Sequence, residues 1–297
     1  MKKTISLLAV FCMAAAANAT ILRVNNNTGS SAPYTTIEAA LEAAAEGDTI
    51  MLDASPVKYP ALEIEKRVVL LGPGHWLAKN GIISEGAEAA TIDGIKIHAE
   101  GAVVKSIAVP GGASITIQAH NVVVNRCQVN GQIVLRNASG SVIHQCYANG
   151  VEGYGSNYQE NYIQVTNNIL YGRISNLNNS YIAYNTLTSF FNLKDCTVEY
   201  NWATKDVFKG GNGNSFNNNI SSEDYSKPFN NAGRYDGMFA AVEVDETLRS
   251  TYGAFAGDTP YVLSGIPAGP VIEDLIVPAS VEKGSKLQVT IKVGIQQ

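Results

Sequence analysis

A short phrase recurs along the middle of the chain, and no other feature restricts the fold as much. It reads Val124-Asn125-Arg126-Cys127, Ile143-His144-Gln145-Cys146, Val165-Thr166-Asn167-Asn168, Ile182-Ala183-Tyr184-Asn185, Val198-Glu199-Tyr200-Asn201 and Phe216-Asn217-Asn218-Asn219. Successive copies lie roughly 16 to 22 residues apart, the length of one coil of a solenoid. In each copy an apolar residue stands three positions before an amide or a thiol. Stacked coils place equivalent residues one strand spacing apart. An Asn at a tight inward turn can then hydrogen-bond its counterparts above and below, satisfying amides that would be costly to bury alone. The predicted column is Cys127, Cys146, Asn168, Asn185, Asn201 and Asn219.

A second strand per coil aligns as Ile95-Lys96-Ile97-His98, Ile115-Thr116-Ile117-Gln118, Ile133-Val134-Leu135-Arg136 and Val151-Glu152-Gly153-Tyr154. With a period of two, the first and third residues point inward and the fourth points out. Leucine-rich repeats require a Leu framework absent here, and the coil is too long for a hexapeptide left-handed helix. A β-sandwich would not repeat an Asn in register. The chain is therefore expected to be all-β, a parallel β-helix.

The stretch before the repeats is different. Thr35 and Glu38 form a capping-box pattern, and Ile37, Ala40, Leu41 and Ala44 make one apolar helical stripe. Gly47 sits where a helix ends, and Ile50-Met51-Leu52 begins a strand. Val68-Val69-Leu70-Leu71-Gly72 reads as a second strand and turn, and Thr91-Ile92-Asp93-Gly94-Ile95 as the beginning of a third coil. A short amphipathic helix, over about 35–46, running through Gly47-Asp48-Thr49-Ile50 into a strand resembles the N-terminal cap of pectate-lyase-like β-helix proteins. The resemblance implies a right-handed, single-stranded helix whose open first coil is covered by the α-helix.

The first 19 residues read as a secretory signal. Lys2 and Lys3 precede an apolar run, Ile5 to Ala17, too short to span a bilayer. Ala17-Asn18-Ala19 supplies a cleavage pattern that would leave Thr20 first. Lipidation at Cys12 is the competing reading, opposed by bulky Phe11. The expected location is periplasmic, outer-surface or extracellular, with no transmembrane segment in the mature chain. Loss of Lys2 and Lys3 takes the formal charge from -5 to about -7, a balance that argues against nucleic acid as a partner. Three cysteines remain, Cys127, Cys146 and Cys196, and an odd number is not a disulfide framework. With no Cys-x-x-Cys and no close His pair, no metal or other cofactor is expected.

Candidate functional residues follow from alternation. His98, Gln118, Arg136 and Tyr154 should form an outward ladder on one face, with Arg173 close to its continuation. In β-helix proteins that handle polysaccharide the corresponding face lines the substrate groove, so the resemblance implies the same position here. Tyr184 and Tyr200 precede the column Asn, and Tyr147 and Trp202 follow the column residue. All four rings should point outward, where they suit the apolar faces of sugars. For any single ring the plainer alternative is packing beneath a loop.

Catalysis is not supported by the residues. A glycoside hydrolase needs two facing carboxyl groups, and a calcium-dependent lyase needs clustered oxygen ligands. Between Asp93 and Asp195 the only acids are Glu100, Glu152 and Glu160, against six basic residues from Gly94 to Lys194. The paired aspartates of polygalacturonases and those of a pectate-lyase calcium site are absent. A calcium-free lyase using Arg136 or Arg173 is the enzymatic alternative, and a structural or adhesive envelope protein the third. The leading expectation is a secreted protein that binds extracellular or cell-surface polysaccharide.

The rhythm ends after Asn219, so the β-helix is expected over 20–222 and an irregular capping segment over 223–297. Gly253 to Pro270 resembles the tail that follows the solenoid in secreted β-helix proteins of Bacteroidetes-type bacteria. Leu275–Val277 and Leu287–Val293 read as two short strands, and the segment is too short for a domain of its own.

Overall fold

The structure is a computed structural model that describes residues 19–84, 86–155, 160–204, 212–222, 234–278, 280, 286–287 and 289–296. The expected leader, apart from Ala19, lies outside them.

The β-branched residues of the repeat build two ten-stranded sheets facing one another, with every described pairing within them parallel. One inward row of the first sheet runs Leu70, Val104, Val124, Ile143, Val165, Ile182, Val198 and Phe216, each in register with the next. The second sheet answers with Ile95, Ile115, Ile133, Val151 and Ile174. All of these except Phe216 belong to one continuous buried core. The chain is a parallel β-solenoid of about eight turns with few short helices.

The corner between the sheets explains the repeated phrase. Its third residue, in the series Ser106, Arg126, Gln145, Asn167, Tyr184, Tyr200 and Asn218, has φ between 50° and 58°. One left-handed residue bends the strand sharply, at about 1–2 kcal/mol for a side chain other than Gly. The residue after it turns into the lumen. There Asn168 donates its backbone N–H (3.1 Å) and its Nδ2 (2.9 Å) to Asn185 Oδ1. Asn185 repeats both bonds to Asn201, each at 2.9 Å, and Asn201 repeats both to Asn219. Cys146 joins by donating its N–H to Asn168 Oδ1 at 2.7 Å. The Cys127 and Cys146 thiols are buried and free, and each donates to a carbonyl of the coil before, Val104 and Val124. Burial, then the neighbouring Cys127, pushes the Cys146 thiol well above its usual range. The predicted column stands as a column.

A second inward column, absent from the sequence reading, runs along the other edge of the first sheet. Ser141 Oγ accepts from Val122 N–H, and Ser180 Oγ from Ile163 N–H, both at 3.1 Å. Farther along, Asn214 Oδ1 accepts from Cys196 N–H at 3.0 Å.

The N-terminal helix spans Ile37–Ala43, shorter than expected, and packs against the strands Ile21–Val24, Thr49–Leu52 and Leu62–Ile64. Thr36, not Thr35, is its N-cap, its hydroxyl accepting from Ala39 N–H. The helix ends at Ala44, three residues before Gly47, because Ala44 turns to an extended conformation. The buried stripe is Ile37, Ala40 and Ala44, with Leu41 packed against it.

Beyond the solenoid the described chain turns back along the flank. Short helices at Gly237–Ala240 and Glu246–Thr251 lead into a strap over 253–268. Gly253 N–H donates to Tyr200 O, and Asn167 Nδ2 to Ala254 O and Ala256 O. Next come Gln145 Nε2 to Pro260 O and Arg126 Nη1 to Ile266 O. The strap thus runs back over the outer corner, one coil after another, and His75 N–H meets Ser264 O near its far end. These contacts lie along the flank of the solenoid. Asp236, fully buried, fastens the strap: its carboxylate accepts from Asn80 Nδ2, Gly237 N–H, Tyr261 OH and Ser264 N–H, at 2.7 to 3.1 Å. The tail ends in an antiparallel pair, Gly269–Ile276 with Thr290–Gln296, the first strand beginning six residues earlier than expected.

Candidate functional site

The outward ladder of the second sheet forms in register. Ile97, Ile117, Leu135 and Gly153 pair in series. The next residue of each coil, His98, Gln118, Arg136 or Tyr154, donates its N–H to a carbonyl of the coil before, Ile64, Ile97, Ile117 or Leu135. His98 Nε2 stands 3.6 Å from Glu63, which also pairs with Lys96 at 2.8 Å. Lys96 is the larger cause, and His98 a smaller one, holding the Glu63 carboxyl below its usual range. The Arg136 guanidinium lies 3.8 Å from the centre of the Tyr154 ring, and that ring is 58% exposed.

Arg173 is not on the continuation of this row. It pairs with Ser189, level with Gly150, four residues before the position that follows Tyr154. One extra residue between Leu170 and Ile174 shifts the register there. Arg173 instead reaches over Phe191, 5.2 Å from the ring centre, and Phe191 is an exposed aromatic that alternation alone did not single out. The outer face of the second sheet therefore carries two arginine–aromatic pairs.

The tyrosines belong elsewhere. Tyr184 and Tyr200 are left-handed corner residues, stacked on each other at 5.1 Å with planes 6° apart, and both are half-buried. The strap covers them: a Cβ on Gly257 (φ +76°) would lie 3.1 Å from the Tyr184 ring. Tyr147 and Trp202 do point away from the lumen, as alternation requires, but each is only 1% exposed. They form a flank core with Trp76, Ile169, Phe239 and Tyr261. The expectation that these two rings are open to solvent is corrected, because a later segment of chain packs on them.

Two of the middle acids, Glu160 and Glu100, have structural work. Both Glu160 oxygens accept backbone N–H groups, from Asn137 and Ala138, and the side chain is buried. Glu100 accepts from Asn121 Nδ2. Glu152 lies on the outer face of the second sheet, in the row of Lys96, Thr116 and Val134. Among the described residues no three His, Cys, Asp or Glu gather as a metal site, and no helix is long and apolar enough to cross a membrane.

The other outward surface is a cleft of about 760 Å³ between the first sheet and the strap. Its floor carries two rows in register. One is Val69, Val123 and Val142, with Val103 in register between the first two, and the other is Leu71, Lys105, Asn125 and His144. Arg126 and Gln145 close one side, and Asp258, Pro260, Val262, Pro267 and Ala268 come over from the strap. Thr166 holds His144 Nδ1 at 2.8 Å, and burial is the main cause keeping that imidazole below its usual range.

Fold and surfaces together define a class, the parallel β-solenoid with a non-repeating strap along one flank. Comparison with known proteins goes no further: no family model, no curated protein and no solved structure matches the chain.

Proposed function

We propose that this chain is a secreted, right-handed β-helix protein of the pectate-lyase-like kind that binds extracellular polysaccharide along the outer face of its second sheet. One observation carries the reading. His98, Gln118, Arg136 and Tyr154 stand in consecutive coils, and the last two form an exposed cation–aromatic pair. Strand spacing repeats this arrangement about every 4.8 Å, which suits a polymer lying across the coils. Rings and guanidinium planes offer apolar contact and hydrogen bonds to the same sugar. The leader-like first residues support export, and the absence of a facing carboxylate pair in the sequence favours binding over turnover.

The test is a glycan array with the purified chain, followed by titration of any polymer retained. Arg136→Ala and Tyr154→Ala should each weaken binding about tenfold while the melting temperature stays within a degree or two of the parent's (on the order of 0.5 kcal/mol). Parent-like binding by both variants overturns the assignment of this face. Unsaturated products from a uronate polymer would make the chain a lyase instead.

A further inference from the structure

The cleft on the first sheet is chemically unlike the ladder on the second. Among the described residues no Phe, Tyr or Trp lines it, so it lacks the broad ring surface that sugars favour. Its floor is a strip lined by Val69, Val123 and Val142, Val103 stands in register between the first two, and Leu71, Pro260, Val262 and Pro267 extend the apolar lining. Three strand spacings give the strip a length of about 14 Å. Beside it runs a polar row whose first charged member is Lys105, with Asn125 next in register and Arg126 adjacent. Arg126 gives Nε to Gln145 and Nη1 to Ile266 O. Among the described residues neither Lys105 nor Arg126 has a carboxylate within 4.0 Å. Among the described residues Asp258 is the one acid on the lining.

A half-buried cation without a counter-ion beside an aliphatic trough fits an anion with an aliphatic body. An extended peptide fits poorly. The backbone groups of the floor strands already bond to neighbouring coils, so a peptide's own N–H and C=O groups would go unpaired against valine side chains. The cleft volume lies within the usual range of small-molecule sites, about 300–1,000 Å³.

We propose that this cleft binds a medium-chain aliphatic carboxylate, its chain along the strip Val69–Val103–Val123–Val142 and its carboxylate on Lys105 with Asn125 and Arg126 beside it. The site is on the opposite sheet from the polysaccharide face and does not rest on that reading.

The test is calorimetric titration of the purified chain with dodecanoate below its micelle concentration. One equivalent should bind. Decanoate should bind about tenfold more weakly, from two methylenes at about 0.8 kcal/mol each. Dodecanol, which lacks the charge, should bind at least tenfold more weakly than dodecanoate, and so should dodecanoate to the Lys105→Gln protein. Lys58→Gln, an exposed lysine outside the cleft, should leave binding unchanged. Val123→Thr keeps the shape of the floor while making it polar, and should weaken binding even if Lys105→Gln fails to fold. The proposal is overturned if dodecanol binds as tightly as dodecanoate, or if binding survives in both Lys105→Gln and Val123→Thr. It is also overturned if several equivalents bind, if a tetraglutamate peptide binds instead, or if nothing binds.

Discussion

Two columns of side chains sit one residue apart at the same corner of this solenoid, and they differ in every respect except their spacing. The inner column, Cys127 to Asn219, is nearly uniform. The outer column, Ser106, Arg126, Gln145, Asn167, Tyr184, Tyr200 and Asn218, has five residue types in seven positions. Each inner Asn meets another copy of itself, so the same chemistry solves the same problem in every coil. Each outer residue except the last meets a strap or loop that does not repeat. Translation along the axis governs the lumen, and a single pass of chain governs the flank.

The sharpest break of this comparison is at Asn185. Its Oδ1 accepts two bonds from Asn168, and its Nδ2 donates to Val165 O, Ala183 O and Asn201 Oδ1. Asn185→Leu should cost about 3–5 kcal/mol in urea unfolding, since several buried groups lose partners at about 1–3 kcal/mol each. A loss under about 1 kcal/mol would mean the column is decoration.

The flank has its own titration. Burial holds the fully buried His75 imidazole down to about 4, against the smaller opposing pull of Asp236. An unfolded His titrates near 6.5. The folded state is thus favoured fully above about pH 6.5 and loses stability as pH falls from there toward 4, by about 3 kcal/mol in all. His75→Gln should remove that part of the slope, measured as the difference between the two proteins' unfolding free energies at pH 7 and pH 4. Parallel curves for the two proteins would contradict the burial.

Smaller effects are expected where one outer residue holds one piece of strap. Asn167→Ala loses its bonds to Ala254 O and Ala256 O and should cost about 1–2 kcal/mol. It should also raise protease cleavage within 253–268 while the solenoid stays intact. A cost equal to that of Asn185→Leu would erase the distinction between the columns. Tyr184→Leu, which removes one partner of the stack with Tyr200, should cost least, about 0.5–1.5 kcal/mol.

The same contrast decides what the sequence made legible. Ile95, Ile115 and Ile133 announce their register because each must fill the same slot of the lumen. The Asn column is readable for the same reason. The column of Ser141, Ser180, Cys196 and Asn214 is inward too, but Ile163 interrupts it and no residue type persists to betray it. The ladder from His98 to Tyr154 could be counted out by alternation, whereas Arg173 could not, because one inserted residue shifts the row. Burial of Tyr147 and Trp202 depends on chain about 50 to 110 residues away, which no local period encodes. The cleft beside Lys105 needs the strap as its roof and so becomes visible only in three dimensions.

Spin labels on the second sheet's outer face test the stacking itself. Lys96, Thr116, Val134, Glu152, Ser175 and Phe191 form one row across six coils. Labels at positions 96 and 191, five strand spacings apart, should give a narrow distance distribution centred near 24 Å by pulsed electron resonance. A broad distribution, or a centre well beyond that value, would contradict a solenoid in which every coil lies directly on the one before.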